Sequence, residues 1–316
     1  TEVLRYAVRR VLLFALTLAG VAVIVAVLLR LVPGDPAAVF LGENATPNNV
    51  AELRQALGLD LPWPVQLSRY LAGVARGDLG TSLFQREPVI ELIAARLPAT
   101  LELALSALLF GVVAGVLLGV VSALKQGTVF DLAVMLLAQV GVSVPVFYLG
   151  ILLSSLFAVR WGMLPAVGRG SLAHLVLPAL TLGLGLAALA SRLVRASLLD
   201  TIRDAYVRSA RAQGLPPGRI VAHALRNALL PVVSVLSVRV GVLLGGSVLT
   251  ENIFGWPGLG SLAVTAISQR DFPLVQGIVL VFASIFLVLH LAIDLAYGVL
   301  DPRIRIEAGG VSSRAD

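Results

Sequence analysis

The sequence predicts an all-α integral membrane protein with six transmembrane helices and both termini in the cytoplasm. Hydrophobic residues make up 58% of the chain and charged residues only 13%, and the mean hydropathy is +0.94. A soluble domain of 316 residues with this composition would precipitate. Uncharged runs about 20 residues long, the length that crosses a bilayer, recur along the chain. The net charge of +6 comes from basic residues in the loops between these runs, where they set topology, so we expect no nucleic-acid partner.

The N-terminal segment, residues 1–31, contains the first predicted span, Val11–Leu29. Basic residues precede this span, at Arg5, Arg9 and Arg10. The same arrangement fits a cleaved signal peptide. We favour an uncleaved span, because the apolar run is longer than a usual signal core and Arg30 follows it without a cleavage site of small residues. The arginines then place the N-terminus in the cytoplasm.

Residues 32–98 are the only sizeable polar part of the chain and are predicted to form a helical cap outside the cytoplasm. Three short amphipathic helices are expected in it, each starting at or after a proline: Pro47, Pro64 and Pro88. Thr46 resembles the cap of the first helix, and Gly58 and Gly77 close the first two. A cap of this size is too small for a core of its own, so we expect it to lie against the membrane or a partner.

Residues 99–306 are predicted to be a core of five further spans. These spans are uncharged or nearly so: Leu103–Leu124, Leu132–Val159, Gly170–Ser191, Asn227–Thr250 and Phe272–Ile293. Pro145 lies in the middle of the second of them. The last outer loop, Glu251–Pro273, is too rich in glycine and proline to be a span, and we expect it to dip into or lie at the outer surface. Six spans return the C-terminal tail, residues 307–316, to the cytoplasm.

A basic cytoplasmic loop, residues 200–226, interrupts the core and is predicted to form a helix, a tight turn and a second short helix. Asp204 and Arg208 have the spacing of a helical ion pair, and Arg211 extends the charged face. On a neighbouring face, residues follow at helical spacing: Tyr206, Ala210 and Gln213 or Gly214. Gly214 is a helix stop and Pro217 suits the start of the second helix. The charge alone would also fit an ordinary cytoplasmic loop.

Catalytic and cofactor motifs are missing from the sequence. The three histidines, His174, His223 and His290, have no metal-ligand spacing, and no metal site is expected. The single lysine, Lys125, does not belong to a GxxxxGK[ST] nucleotide-binding loop. The chain has no cysteine, which excludes disulfides, thiolate nucleophiles and thiolate-bound metals. We therefore expect no cofactor bound by this chain and no enzyme activity of its own.

Polar residues inside spans are the candidate translocation path, since each is costly in lipid. Arg239 either lines the route of a solute or pairs with an acid such as Asp294 or Glu102. Gln139 and Ser143 stand one turn apart. They could present an amide and a hydroxyl to a peptide-like solute, or hydrogen-bond to another helix.

His290 and Asp294 are one turn apart and have the spacing of a proton relay. Asp294 lies near the cytoplasmic end of its span, which favours a structural role for the two residues.

At the basic loop the residues support a resemblance to a known family. Tyr206–Gly214 reads YVRSARAQG and resembles the YVRxARAxG loop in permease subunits of bacterial ABC importers of the dipeptide and oligopeptide branch. Against the loop pattern of the wider permease family, only Ala210 and Gly214 match, and Arg226 stands where a proline is usual. Further motifs of the branch occur in its order and spacing: Val32–Pro36, Arg76–Ser82, Arg96–Ala104, Glu251–Gly260 and Leu300–Arg305.

The resemblance implies a type I permease fold, in the bacterial cytoplasmic membrane, that imports peptides. It also implies partners: a second homologous permease, two ATP-binding subunits or domains that use ATP and Mg, and an extracytoplasmic solute-binding protein. The basic loop would be the coupling helix that docks on an ATPase, and its candidate residues are Tyr206, Arg208, Ala210, Arg211 and Gly214. The first span and the cap would be additions to a five-span core.

Two other functions remain open from the sequence. One is a proton-coupled carrier or channel that works without ATP and uses Arg239, His290 and Asp294. The other is import of a nickel chelate, glutathione or another small solute by the same type of ABC importer, since solute choice depends largely on the binding protein.

Overall fold

The computed structural model describes the backbone of residues 2–31, 35–56 and 58–300, and the side chains from residue 12 to 291 apart from positions 29, 30, 32–34, 36, 44, 56, 57, 242 and 244. Several predictions fall outside this part: the arginines before the first span, Arg30, most of the Val32–Pro36 motif, the Asp294 side chain, most of Leu300–Arg305 and the tail. The described chain is helical, with one isolated antiparallel bridge between Thr81 and Pro88.

The chain divides into two compact units. One unit takes both ends of the chain, Thr1–Ala95 and Ala263–Asp316, and the other is Arg96–Leu262. The α-helices of the first unit are α1 (Glu2–Leu31), α2 (Pro36–Leu41), α3 (Pro47–Ala56), α4 (Trp63–Ala75), the start of α5 (Val89–Leu124), most of α11 (Leu259–Gln269) and α12 (Phe272–Leu300). Those of the second are the rest of α5, α6 (Val129–Ser143), α7 (Val146–Leu153), α8 (Leu172–Ile202), α9 (Ala205–Ala212) and α10 (Pro217–Ile253).

In the first unit, the cap helices begin and end close to the predicted residues. The Oγ1 of Thr46 accepts a hydrogen bond from Asn49 N at 3.3 Å and so caps α3. Gly58 and Gly77 adopt φ of +67° and +80°, which a glycine adopts without strain. Helix α4 starts one residue before the predicted proline. The sequence did not predict α2, whose N-cap Asp35 accepts a hydrogen bond from Ala37 N at 3.1 Å.

The predicted third cap helix is not a separate element. It forms the first part of α5, which continues through Pro98 to Leu124. Proline inside a helix costs about 3 kcal/mol. Here a buried stripe at helical spacing continues on the far side, at Ala99, Leu103 and Ala107, so packing keeps the helix intact. The boundary predicted after residue 98 therefore falls inside a continuous helix.

The second predicted core span is broken. The chain bends by 109° between α6 and the helical segment Val146–Arg160, which consists of α7 and a π-helical turn. Pro145 has no N–H to donate, and Val144 before it is extended, with φ −77° and ψ 125°. The single span predicted at Leu132–Val159 is thus two short helices.

Within the described residues, four helical segments are long and apolar enough to cross a membrane, in α5, α8, α10 and α12, and the bent pair makes a fifth if it is one span. The described side chains of α1 add an apolar stretch of 17 residues, Leu12–Leu28. The predicted short second helix of the basic loop is wrong, because α10 runs without a break from Pro217 through Pro231 to Ile253. Each of the six predicted apolar segments lies in or overlaps described helix.

Helices α5, α8 and α10 build the core of the second unit. Glycines every fourth residue on α5 lie directly against α8: Gly111, Gly115 and Gly119. A Cβ at Gly119 would lie 2.6 Å from the carbonyl oxygen of Ser191. Small residues allow this close approach, which is the usual way that helices pack in a membrane.

Candidate functional site

The predicted helix and turn of the basic loop are present. Helix α9 has eight residues, and Asp204 is its N-cap residue. Gly214 follows it with φ +77°, and Leu215 N donates to the carbonyl of Ala210 at 3.2 Å, a contact that ends the helix. Asp204 and Arg208, the predicted ion pair, are joined by a backbone hydrogen bond. Arg208 N donates to the carbonyl of Asp204 at 3.2 Å in the first turn of α9. The links to α8 and α10 are two and four residues long, so α9 has little freedom to move alone.

One face of α9 is anchored by Val207, whose side chain is 1% exposed. Val207 belongs to a hydrophobic cluster that joins α5, α8 and α10. We call this cluster the α9 seat, and its other buried members are Ala123, Leu198, Ile220, Ala224 and Ala228. Ala210 packs against the same cluster.

The opposite side of α9 is exposed and basic. Tyr206, Arg208 and Arg211 are exposed, as is Gly214 in the turn. The hydroxyl oxygen of Tyr206 accepts a hydrogen bond from Asn227 Nδ2 at 2.9 Å, which ties α9 to α10. The predicted common face is therefore divided: Tyr206 and Gly214 lie outside, whereas Ala210 is half-buried against the seat. Val207 and Ala210 are three residues apart and therefore lie on the same face of α9, which packs on the seat. Tyr206 and Gly214 lie outside this face.

An ion pair with a buried carboxylate lies beside the seat, and sequence reasoning did not find it. Asp131, in the first turn of α6, accepts hydrogen bonds from Nε and Nη2 of Arg195 in α8 at 2.6 and 2.7 Å. Its carboxylate also accepts from Ser122 Oγ at 2.5 Å and Gly127 N at 3.0 Å. In the sequence, Asp131 marks the edge of a span and Arg195 is one of several arginines near the loop, and nothing there pairs two residues 64 positions apart.

The predicted path residues Gln139 and Ser143 lie one turn apart on an exposed side of α6. Ser143 Oγ donates to the carbonyl of Gln139 at 2.9 Å. The amide oxygen Oε1 of Gln139 accepts from Nη1 of Arg192 in α8 at 3.0 Å. Gln139 therefore forms a hydrogen bond to another helix, one of the two roles considered for it from the sequence. Its partner, Arg192, was not singled out from the sequence.

Arg239 is exposed on α10 and forms no ion pair with a side chain in the described part of the chain. Glu102, one predicted partner, instead accepts from Arg169 Nη2 at 2.6 Å and Nε at 2.9 Å. Asp294, the other, lies outside the described side chains. His290 packs on the ring of Phe286, with 4.3 Å between the ring centroids.

The last outer loop is ordered around a buried carboxylate. Glu251 is 0% exposed and accepts hydrogen bonds from Thr100 Oγ1 at 2.7 Å and Ser261 N at 2.9 Å. Burial raises the pKa of this carboxyl, and the hydrogen bonds oppose that rise. Trp256 is also buried, and its Nε1 donates to the carbonyl of Ala99 at 2.8 Å. Part of the predicted loop is helix α11.

The described residues contain no group of three or more His, Asp or Glu side chains arranged to hold a metal ion. Their charged groups instead form ion pairs and hydrogen bonds between helices.

Comparison with known proteins places these features in a family. Residues 115–306 match the family model described as binding-protein-dependent transport system inner membrane component, and residues 3–104 match the model of the corresponding N-terminal region. The chain is 40% identical to the dipeptide transport system permease protein of Alkalihalophilus pseudofirmus, over 96% of this chain and 99% of the relative. It is 41% identical to the glutathione transport system permease protein of Salmonella paratyphi A, with the same coverage.

A solved structure has a similar fold. An inward-facing structure of the MetNI methionine ABC transporter aligns with a TM-score of 0.53 at 21% identity, over 67% of this chain and 97% of that chain. At this identity the likeness concerns the fold alone.

Proposed function

The chain belongs to the family of inner membrane components of binding-protein-dependent transport systems, and on that premise we propose that it carries short peptides across the bacterial cytoplasmic membrane. It is a multi-pass membrane protein and a transport subunit of an ABC importer, with ATP hydrolysis done by partner subunits. The peptide substrate is supported by relatives that are named for dipeptide and glutathione transport.

Helix α9 is the proposed coupling helix, and its geometry is the observation that carries the mechanism. A short helix with a basic exposed side can dock on an acidic groove of an ATP-binding subunit. Tyr206, Arg208 and Arg211 supply that side, Gly214 shapes its end, and Ala210 holds it on the seat. Because short links join α9 to the long helices α8 and α10, a displacement of α9 would move both.

The complete importer in this proposal has further subunits. A second homologous permease completes the pore, two ATP-binding subunits or domains bind ATP and Mg, and an extracytoplasmic binding protein delivers the peptide. The proposed path carries the polar groups of Gln139, Ser143 and Arg239, which are exposed on otherwise apolar helices. A peptide has charged ends and amide groups, which such side chains can bind.

A crosslinking experiment tests the coupling role. The chain has no cysteine, so a single one can be introduced at Arg211 and labelled with a photoactivatable crosslinker. We expect crosslinks from Arg211→Cys to the ATP-binding subunit in the assembled importer. Leu172→Cys, exposed at the first residue of α8, is the control and should give none.

Transport measurements test the rest of the proposal. In proteoliposomes with the binding protein, dipeptides and tripeptides should stimulate ATP hydrolysis and enter the vesicles, whereas a nickel chelate should not. Absence of the Arg211 crosslink, together with uptake that survives ATP depletion and collapses with the proton gradient, would overturn the proposal in favour of a proton-coupled carrier.

A further inference from the structure

We infer that the partly buried ion pair of Asp131 and Arg195 is a positioning element that makes the ends of α5, α6 and α8 move together with α9. The inference rests on the proposed coupling role of α9. It assigns a function to two residues outside α9 whose side chains have little exposed surface, 7% for Asp131 and 24% for Arg195.

The geometry of the pair fixes orientation as well as distance. Both carboxylate oxygens of Asp131 are used: Oδ1 accepts from Arg195 Nε and Ser122 Oγ, and Oδ2 accepts from Arg195 Nη2 and Gly127 N. A planar guanidinium and a carboxylate that form two parallel hydrogen bonds hold each other in one arrangement. Three helices and the turn between α5 and α6 therefore meet at one carboxylate.

The same helix ends form the α9 seat. Ser122 immediately precedes Ala123 in α5, and Arg195 lies one turn before Leu198 in α8. Ala123 and Leu198 are seat residues that cluster with Val207 of α9. The hydrogen bonds of Asp131 and the α9 seat thus use neighbouring residues of α5 and adjacent turns of α8.

The ion pair supplies a constraint that the seat alone lacks. Hydrophobic contacts are non-directional, and the seat consists mainly of small or branched aliphatic side chains, along which a helix can slide or rotate. The bidentate pair opposes sliding and rotation of α6 against α8, so that a force on α9 is passed to all three helices. Without it, we expect α9 to move while α6 lags behind.

The test uses Asp131→Asn in the complete importer, because this change keeps the volume and removes the charge. We expect the complex to assemble and ATP hydrolysis to continue, while peptide uptake per ATP hydrolysed falls by roughly fivefold or more. Arg195→Lys keeps the charge but not the parallel hydrogen bonds. Its peptide uptake per ATP hydrolysed should lie between those of Asp131→Asn and the parent.

The matched control is Glu102→Gln, which breaks the ion pair with Arg169. Glu102 and Ser122 are 20 residues apart on α5, a distance of about 30 Å along a helix. The control likewise removes one carboxylate charge that pairs with an arginine, but on α5 and far from the seat, and uptake per ATP hydrolysed should equal that of the parent.

A second measurement separates positioning from simple stability. Spin labels at Val129→Cys and Gln213→Cys, both exposed, report the distance between the start of α6 and the end of α9. Asp131→Asn should broaden this distance distribution, and Glu102→Gln should not.

Two results would overturn the inference. One is an Asp131→Asn importer with parental uptake per ATP and a parental distance distribution. The other is a variant that lowers only the amount of assembled complex, which would show a role in folding. Both results differ from a failure of the proposed function. That failure would appear as a missing crosslink from Arg211→Cys to the ATP-binding subunit when Asp131 and Arg195 are unchanged.

Discussion

The hydroxyl oxygen of Tyr206 lies 2.9 Å from Nδ2 of Asn227 and accepts its hydrogen bond. Tyr206 belongs to α9 and Asn227 to α10, so this bond joins the two helices beyond the turn that already connects them. Helix α9 is therefore held from two sides, by Val207 in the seat and by Tyr206 at the exposed face. A residue that is proposed to dock a partner is therefore also bonded to α10.

Removal of this hydrogen bond should weaken coupling by a modest factor. Tyr206→Phe keeps the ring and loses the bond, whose contribution is about 0.5–1.5 kcal/mol, so we expect peptide uptake to fall roughly two- to tenfold. Asn227→Ala should have the same effect, and the double variant should be no worse than either single one. Ser209→Ala is a control on α9. Uptake in proteoliposomes is the measurement, and independent, additive losses would contradict the prediction.

The sequence predicted α9 well because its limits depend on local chemistry. Gly214 and the prolines after it act on the backbone next to them, and the structure has both boundaries, the end of α9 and the start of α10. The cap glycines Gly58 and Gly77 were predicted for the same reason, since a positive φ favours glycine. The length of the uncharged runs likewise predicted the apolar segments.

The features that depend on tertiary contacts were not predicted. Pro98 does not end a helix because buried residues after it keep α5 in place, and Pro145 does end one. The same residue type thus has opposite effects in two packing environments. The ion pair of Asp131 and Arg195 and the bond between Gln139 and Arg192 join distant parts of the sequence, and a single sequence carries no signal that pairs them.

Arg239 should matter for transport more than for stability. It is exposed on α10 and has no ion pair with a described side chain, which leaves its charge open to water or a solute. Arg239→Ala should lower peptide uptake at least about fivefold at unchanged abundance, while Arg239→Lys retains most of it. Ser237→Ala is a control on the same helix, because this hydroxyl donates to the carbonyl of Ser234. A variant with parental uptake and a lower melting temperature would assign Arg239 a structural role.

The contact between α5 and α8 should not tolerate a methyl group at Gly115. A Cβ there would overlap the side chain of Ala190 and lie 2.9 Å from the carbonyl oxygen of Ala187. Gly115→Ala should destabilise the protein by about 1–3 kcal/mol, as overpacking does. Gly185→Ala in α8 is the matched control, since its nearest neighbour would be 3.9 Å away. Thermal unfolding in detergent should separate the two variants, and equal melting temperatures would contradict this packing.

The cap should become more stable when the hydroxyl of Tyr70 is removed. This hydroxyl is buried on α4 without a hydrogen-bond partner among the described residues, and burial raises its pKa to about 12. A tyrosine in the unfolded chain ionises near pH 10, so between about pH 10 and 12 the unfolded state loses its proton first and stability falls as pH rises.

Tyr70→Phe should raise stability by on the order of 1 kcal/mol below pH 10, because no unpaired hydroxyl is then buried. It should also reduce the alkaline loss, since the group that ionises is absent. Melting curves at pH 8 and about pH 11 measure both effects. The exposed Tyr148→Phe is the control, and a Tyr70→Phe protein that melts lower than the parent at pH 8 would show that the hydroxyl is bonded after all.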